Sequence, residues 1–192
     1  VEGGISIIGT KGIVYPMSED AIKKTIYLEI DGILRNSKKK EILLVPGNYG
    51  EGLKEKLNTI IDLPTVKISN YIGDSLSYAY SKGLKTMTLL EHIGKFAKLS
   101  IGIFNTHNRT ADTRMEAFVY YLAMHGAEKK TIETVNAFLT AEEAFNYLVE
   151  NKMEMILKAM ERGAEERIKK YLKDDSLSIR VLIYSMKYGL VE

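Results

Sequence analysis

Four short apolar runs, each stopped by turn residues and separated by stretches of helical periodicity, constrain this chain more than any other feature. They are Ile5-Ser6-Ile7-Ile8, Ile42-Leu43-Leu44-Val45, Thr65-Val66-Lys67-Ile68 and Met87-Thr88-Leu89-Leu90. After the first run, Ser18 stands as an N-cap with Glu19 and Asp20 in the first helical turn, and Ile22, Ile26, Ile30 and Ile33 form an apolar stripe. After the second, Leu53, Leu57, Ile60 and Ile61 fall on one side of a helix. After the third, Ile72, Leu76 and Ala79 do the same, with Gly83 as the terminating C′ residue. The order β-α-β-α-β-α-β predicts a parallel sheet covered by helices. Strands that are continuously apolar, rather than alternating, belong to a sheet buried on both faces.

The second half reads mainly as helix. Met115, Phe118, Val119 and Leu122 make one stripe, closed by His125-Gly126. Thr140-Ala141-Glu142-Glu143 has the form of a capping box and opens a helix carrying Ala144, Tyr147 and Leu148. Residues 153–172 form a longer charged helix, and Ile179–Tyr184 is a final strand. No repeat or low-complexity linker divides the 192 residues, so a single α/β domain over 1–192 is expected.

Composition removes several function classes. Apolar residues are 45% and charged residues 27% of the chain, which is a globular balance and not a disordered one. No apolar run approaches the roughly 18 residues needed to span a bilayer. The start, Val1-Glu2-Gly3-Gly4, has neither the basic opening of a secretory signal nor an initiator Met, so a fragment of a longer chain is expected. Lys and Arg total 27 against 25 Asp and Glu, a net of +2, and Lys38-Lys39-Lys40 is the longest basic run. That balance argues against nucleic-acid binding. The absence of cysteine excludes disulfides and thiolate zinc sites and suits a reducing cytoplasm.

In an open parallel sheet, ligands bind beyond the carboxyl ends of the strands. Four segments fall there: Gly9–Gly12, Gly47–Gly50, Ser69-Asn70 and Glu91–Lys95. Glycines there admit a ligand close to backbone N–H groups, and Asn, Thr and His supply directed hydrogen bonds. The common fingerprints are missing: no strand is followed by G-x-G-x-x-G, and Gly94-Lys95 lacks the upstream glycine of a P-loop. The three histidines, His92, His107 and His125, are not spaced as metal ligands, and no metal is expected. A further segment, Ile101–Asp112, packs Asn, Thr, His, Asn, Arg and Asp together after an apolar run and ahead of a helix, a costly arrangement to order without a purpose.

These residues carry a resemblance. The strings at 2–18 (EGGISIIGTKGIVYPMS), 46–50 (PGNYG), 67–73 (KISNYIG) and 92–108 (HIGKFAKLSIGIFNTHN) are similar to those of the cobalt-precorrin-5B C1-methyltransferases of anaerobic cobalamin biosynthesis. The resemblance runs in order from residue 2 to about 150; Lys11, Tyr15 and Asn108 depart from the usual family residues. It implies a Rossmann-like, mainly parallel sheet flanked by helices, with a helix-rich C-terminal part. It also implies S-adenosylmethionine as methyl donor, a cobalt-containing tetrapyrrole as acceptor, and a further N-terminal domain of the same enzyme as partner.

Combined with strand-end position, the resemblance assigns Gly9, Thr10, Gly12, Gly47, Asn48, Tyr49 and Asn70 to the donor. It assigns His92, Lys95, Asn105, Thr106 and Arg109 to the acceptor. Lys95, Lys98, Arg109 and Arg114 suit the acceptor's carboxylates, and His107 is the candidate proton acceptor. On this reading the 192 residues alone bind the donor but turn over weakly. Two alternatives stay open: a non-catalytic nucleotide- or tetrapyrrole-binding module, and a nicotinamide oxidoreductase, which the missing glycine fingerprint counts against. A homo-oligomer stays open as well.

Overall fold

The computed structural model describes residues 18–36, 40–47 and 62–190. The expected strand at 5–8 and the expected helix around Leu53–Ile61 lie outside the described residues. Within them the elements are α1 (Glu19–Asn36), β1 (Glu41–Val45), β2 (Thr65–Lys67), α2 (Ile72–Ser81), β3 (Thr86–His92), α3 (Ile93–Ser100), α4 (Arg114–Met124), α5 (Lys129–Asn136), α6 (Ala141–Glu150), α7 (Glu154–Leu172), β4 (Ser178–Ser185) and β5 (Gly189–Leu190).

The strands order as β2-β1-β3-β4-β5. The first four are parallel, and β5 closes antiparallel on the end of β4, pairing Tyr184 with Leu190. The α/β expectation with a mainly parallel sheet therefore holds. The chain runs from β1 outward to β2 and then returns past β1 to β3, so the strand order reverses between β1 and β3. At such a reversal the connections after neighbouring strands leave in opposite directions and open a crevice.

Alternate residues of each strand enter two separate cores. Ile42, Leu44, Val66, Met87, Leu89, Val181 and Ile183 point into the larger one, with the described helices. Leu43, Val45, Leu90, Leu182 and Tyr184 are buried on the opposite face. Burial on both faces is what the continuous apolar runs require.

The outer edge of β4 has a particular device. Its N–H groups at Val181 and Ile183 donate to the carboxylates of Glu165 and Glu161 on α7, at 2.9 Å each. Side chains thus satisfy an edge that the two-residue β5 is too short to pair.

Several local expectations hold in detail. Ser18 Oγ accepts the N–H of Ala21, Gly83 and Gly126 take positive φ after α2 and α4, and Thr140 and Glu143 make a reciprocal capping box at α6. Two helices were not foreseen. Residues 93–95 are not a loop but the start of α3, which follows β3 without a break because the His92 side chain caps it, Nδ1 accepting the Gly94 N–H at 3.1 Å. Helix α5 buries only Val135 and has no apolar stripe to betray it.

Candidate functional site

The reversal between β1 and β3 opens into a cleft of about 1040 Å³. Its floor is Pro46 and Gly47 after β1, Glu91 and His92 at the end of β3, and Gly94 and Lys95 in the first turn of α3. One wall is the α1 face carrying Ile22, Thr25, Ile26 and Glu29, and the other is Thr140, Ala141 and Glu142 at the start of α6. Lys67, Ser69, Asn108, Arg114 and Met186 complete the lining among the described residues. The volume is at the upper end of the roughly 300–1,000 Å³ typical of small-molecule sites. Loops after all three strands β1, β2 and β3 meet here, as their position predicts. The loop at Gly9–Gly12 lies outside the described residues.

Glu91 dominates the floor. It is 2% exposed, and burial pushes its carboxyl above the ordinary glutamate range despite the nearby Lys95 and His92. Its Oε1 accepts the His92 N–H at 2.8 Å, whereas its Oε2 has no hydrogen-bond partner among the described residues. Gly47 faces it closely: a Cβ there would sit 3.1 Å from Oε2. A glycine at this point lets the β1 backbone pass directly over the carboxyl.

The neighbouring basic side chains are held elsewhere. Lys95 Nζ donates to the Pro46 carbonyl at 2.7 Å, and burial draws its ammonium below the ordinary lysine range. His92 has both ring nitrogens engaged. Because Nδ1 accepts the Gly94 N–H, the proton sits on Nε2, which donates to Glu142 Oε2 at 2.6 Å. Glu142 Oε1 in turn accepts the N–H groups of Met186 and Lys187, so one carboxylate ties α6 to the β4–β5 turn and to the cleft floor.

Of the residues singled out in the sequence, Gly47, His92 and Lys95 line this cleft. Gly9, Thr10, Gly12, Asn48 and Tyr49 lie outside the described residues. Asn70 does not line the cleft. Its carbonyl accepts the Thr106 N–H at 3.1 Å and its Oδ1 accepts the Thr106 hydroxyl. Thr106 is buried in that exchange.

Asn105 forms a bridge with Tyr71, and its Oδ1 accepts the His107 N–H. His107 is exposed, with Nδ1 accepting the Arg109 N–H, and Arg109 is exposed beside it. From this loop it is Asn108 that reaches the cleft lining. Lys98 does not serve as a free cation for a ligand: it is 1% exposed, and its Nζ donates to Asn108 Oδ1 at 2.8 Å and to the Thr106 carbonyl. The density of polar residues in the segment is thus spent largely on fastening it to α2 and α3. Arg114 lines the cleft while held by both carboxylate oxygens of Asp112.

The sequence places Glu91 on the strand-end rim without giving it a role, and nothing in it marks Glu142 or the α1 face as part of a site. A local signal existed for Glu91, an acid directly continuing the apolar run of β3, but Gly47, which lies against it, follows another strand.

Comparison with known proteins bears on what this cleft serves. Residues 105–192 match the family described as CbiD, C-terminal domain. Over its whole length the chain is 96% identical to a cobalt-precorrin-5B C(1)-methyltransferase of Treponema denticola, covering 53% of that protein. The chain is thus similar, along its whole length, to part of such methyltransferases. Further relatives of the same name are 55% identical in Alkaliphilus oremlandii, over 99% of the chain and 53% of the relative, and 40% identical in Clostridioides difficile, over 100% and 47%. The chain spans about half the length of these curated CbiD relatives. No solved structure matches it. Among the described residues no group of acidic or histidine side chains is arranged to hold a metal, and no helix is long and apolar enough to cross a membrane.

Proposed function

We propose that this chain carries the methyl-donor site of a cobalt-precorrin-5B C1-methyltransferase, with the cleft between β1 and β3 holding S-adenosylmethionine. The observation that carries the reading is the 96% identity, along the entire chain, to a relative of that name. The cleft supports it physically. It is concave, lies at the strand reversal, and is large enough for a nucleoside with an amino-acid tail.

When bound, the donor supplies an activated methyl group on sulfur for in-line transfer to a carbon nucleophile. The chain's own contribution is position and dryness. Gly47 keeps the floor free of side-chain bulk, and Lys95 is clamped to Pro46 so that the first turn of α3 stays fixed. The His92–Glu142 pair holds the α6 wall against the floor. The acceptor approaches from the mouth, where Asn108 and Arg114 stand. Asn105, Thr106 and Arg109 shape that side of the approach, and His107, at the exposed end of the same loop, is the candidate proton acceptor. Aligning a tetrapyrrole needs walls on several sides, and a displacement of about 1 Å can cost on the order of 100-fold in rate. The 192 residues alone are therefore expected to bind the donor and to turn over far more slowly than the longer relatives. A cytoplasmic location belongs to the same proposal.

Parallel calorimetric titration with S-adenosylhomocysteine, NADH and ATP tests the reading. Saturable binding of the first alone is expected. Selective binding of NADH or ATP would replace the proposal with one of the two alternatives.

A further inference from the structure

Glu91 holds an unusual position even within its own cleft. Its carboxyl is nearly sealed from solvent, accepts a single hydrogen bond through Oε1, and leaves Oε2 without a partner on the cleft floor. The groups packed around it come from three elements. From β1, Pro46 and Gly47 present a carbonyl already taken by Lys95 and a backbone with no side chain. From β3, His92 gives its main-chain N–H to Oε1 while its ring serves Gly94 and Glu142. From α3, Lys95 turns its ammonium to Pro46, and no ion pair holds Glu91 among the described residues. A buried, half-satisfied carboxyl carries a continuing desolvation cost, which a ligand supplying positive charge at Oε2 would relieve.

We propose that Glu91 forms the floor of a cation subsite, its Oε2 set to take an onium group of the ligand. This deepens the donor reading and rests on it. Any proton on the carboxyl leaves as the ligand's positive charge arrives: the O–H breaks, its electron pair stays on Oε2, and the proton passes to solvent. The subsite therefore distinguishes the two forms of the cosubstrate by charge. The sulfonium of S-adenosylmethionine gains the carboxylate, whereas the neutral thioether of S-adenosylhomocysteine does not, so loss of the methyl group weakens the hold on the product.

The test is calorimetry on the full chain from about pH 5 to about pH 8, run at each pH in two buffers that hold that pH and differ in ionisation heat, such as phosphate and Tris at the alkaline end. The ligands are S-adenosylmethionine and S-adenosylhomocysteine, and the proteins are the parent and Glu91→Gln, which keeps the shape and removes the titration. The parent is expected to release up to about one proton on binding S-adenosylmethionine, none with the homocysteine form, and to prefer the charged ligand by about tenfold. In E91Q both the release and the preference should disappear. Binding of both ligands with equal affinity and no proton exchange overturns the subsite and leaves the donor reading standing. Failure of both ligands to bind the parent overturns the donor reading and the subsite with it.

Discussion

Glu91 and Glu161 both carry carboxyls that burial pushes above the ordinary glutamate range, and both accept one main-chain N–H, from His92 and from Ile183 respectively. They differ at the second oxygen. Glu161 Oε2 meets Lys158 at 3.2 Å on its own helix, so the carboxyl is satisfied on both sides and seals the edge of β4. Glu91 Oε2 has no hydrogen-bond partner among the described residues and lies buried against Gly47 at the cleft floor. Burial alone therefore does not mark a functional acid. The distinction is whether the fold completes the hydrogen bonding of the group or leaves part of it for a ligand.

Substitution separates the two. The largest effect is expected at Glu161→Ala, which leaves the Ile183 N–H unpaired at a strand edge and should cost about 2–4 kcal/mol in chemical denaturation, with Glu161→Gln recovering most of it. A neutral outcome for E161A would remove the contrast.

Glu91→Gln should go the other way. A carboxyl whose folded pKa is raised favours folding fully only below its unfolded value, and that contribution is lost as pH rises through the folded value. Gln does not titrate. E91Q should therefore match the parent near about pH 4 and exceed it by roughly 1 kcal/mol at alkaline pH, a gain obtained at the expense of ligand binding. An E91Q protein that is less stable than the parent at alkaline pH would mean that Glu91 is structural, as Glu161 is.

His92→Ala sharpens the comparison, since it keeps the main-chain donor to Glu91 but removes the α3 cap and the link to Glu142. A loss of about 1 kcal/mol is expected, with the pH dependence due to Glu91 intact. The smallest effect on stability belongs to Gly47→Ala. Its Cβ would sit 3.1 Å from Oε2, close enough to crowd the carboxyl, so a few tenths of a kcal/mol should accompany a several-fold loss of S-adenosylmethionine affinity. Unchanged affinity would show that Oε2 does not face the ligand.

These contrasts also explain what could be read from the sequence. Strands β1 to β4 were legible because a doubly covered parallel sheet demands unbroken apolar runs, and the caps at Ser18, Gly83 and Thr140 because they act over three or four residues. Helix α3 was hidden because His92-Ile93-Gly94-Lys95 has the composition of a turn, and only the side-chain cap from His92 lets the helix begin there. The polar loop announced its order but not its purpose. Its bonds run to Asn70, Tyr71 and Lys98, residues whose approach depends on how α2 and α3 pack. Glu91 sat inside a segment marked as rim, yet its meaning depends on Gly47 of β1 lying opposite it, which no local pattern encodes.

The most direct test of the account is a map of amide chemical shifts on addition of S-adenosylhomocysteine. Shifts confined to Gly47, His92, Gly94, Lys95 and the facing turns of α1 and α6 are predicted. Shifts centred instead on the surface groove of Tyr120, Arg162 and Gly163, with the strand ends unmoved, would contradict the placement of the donor and the role given to Glu91.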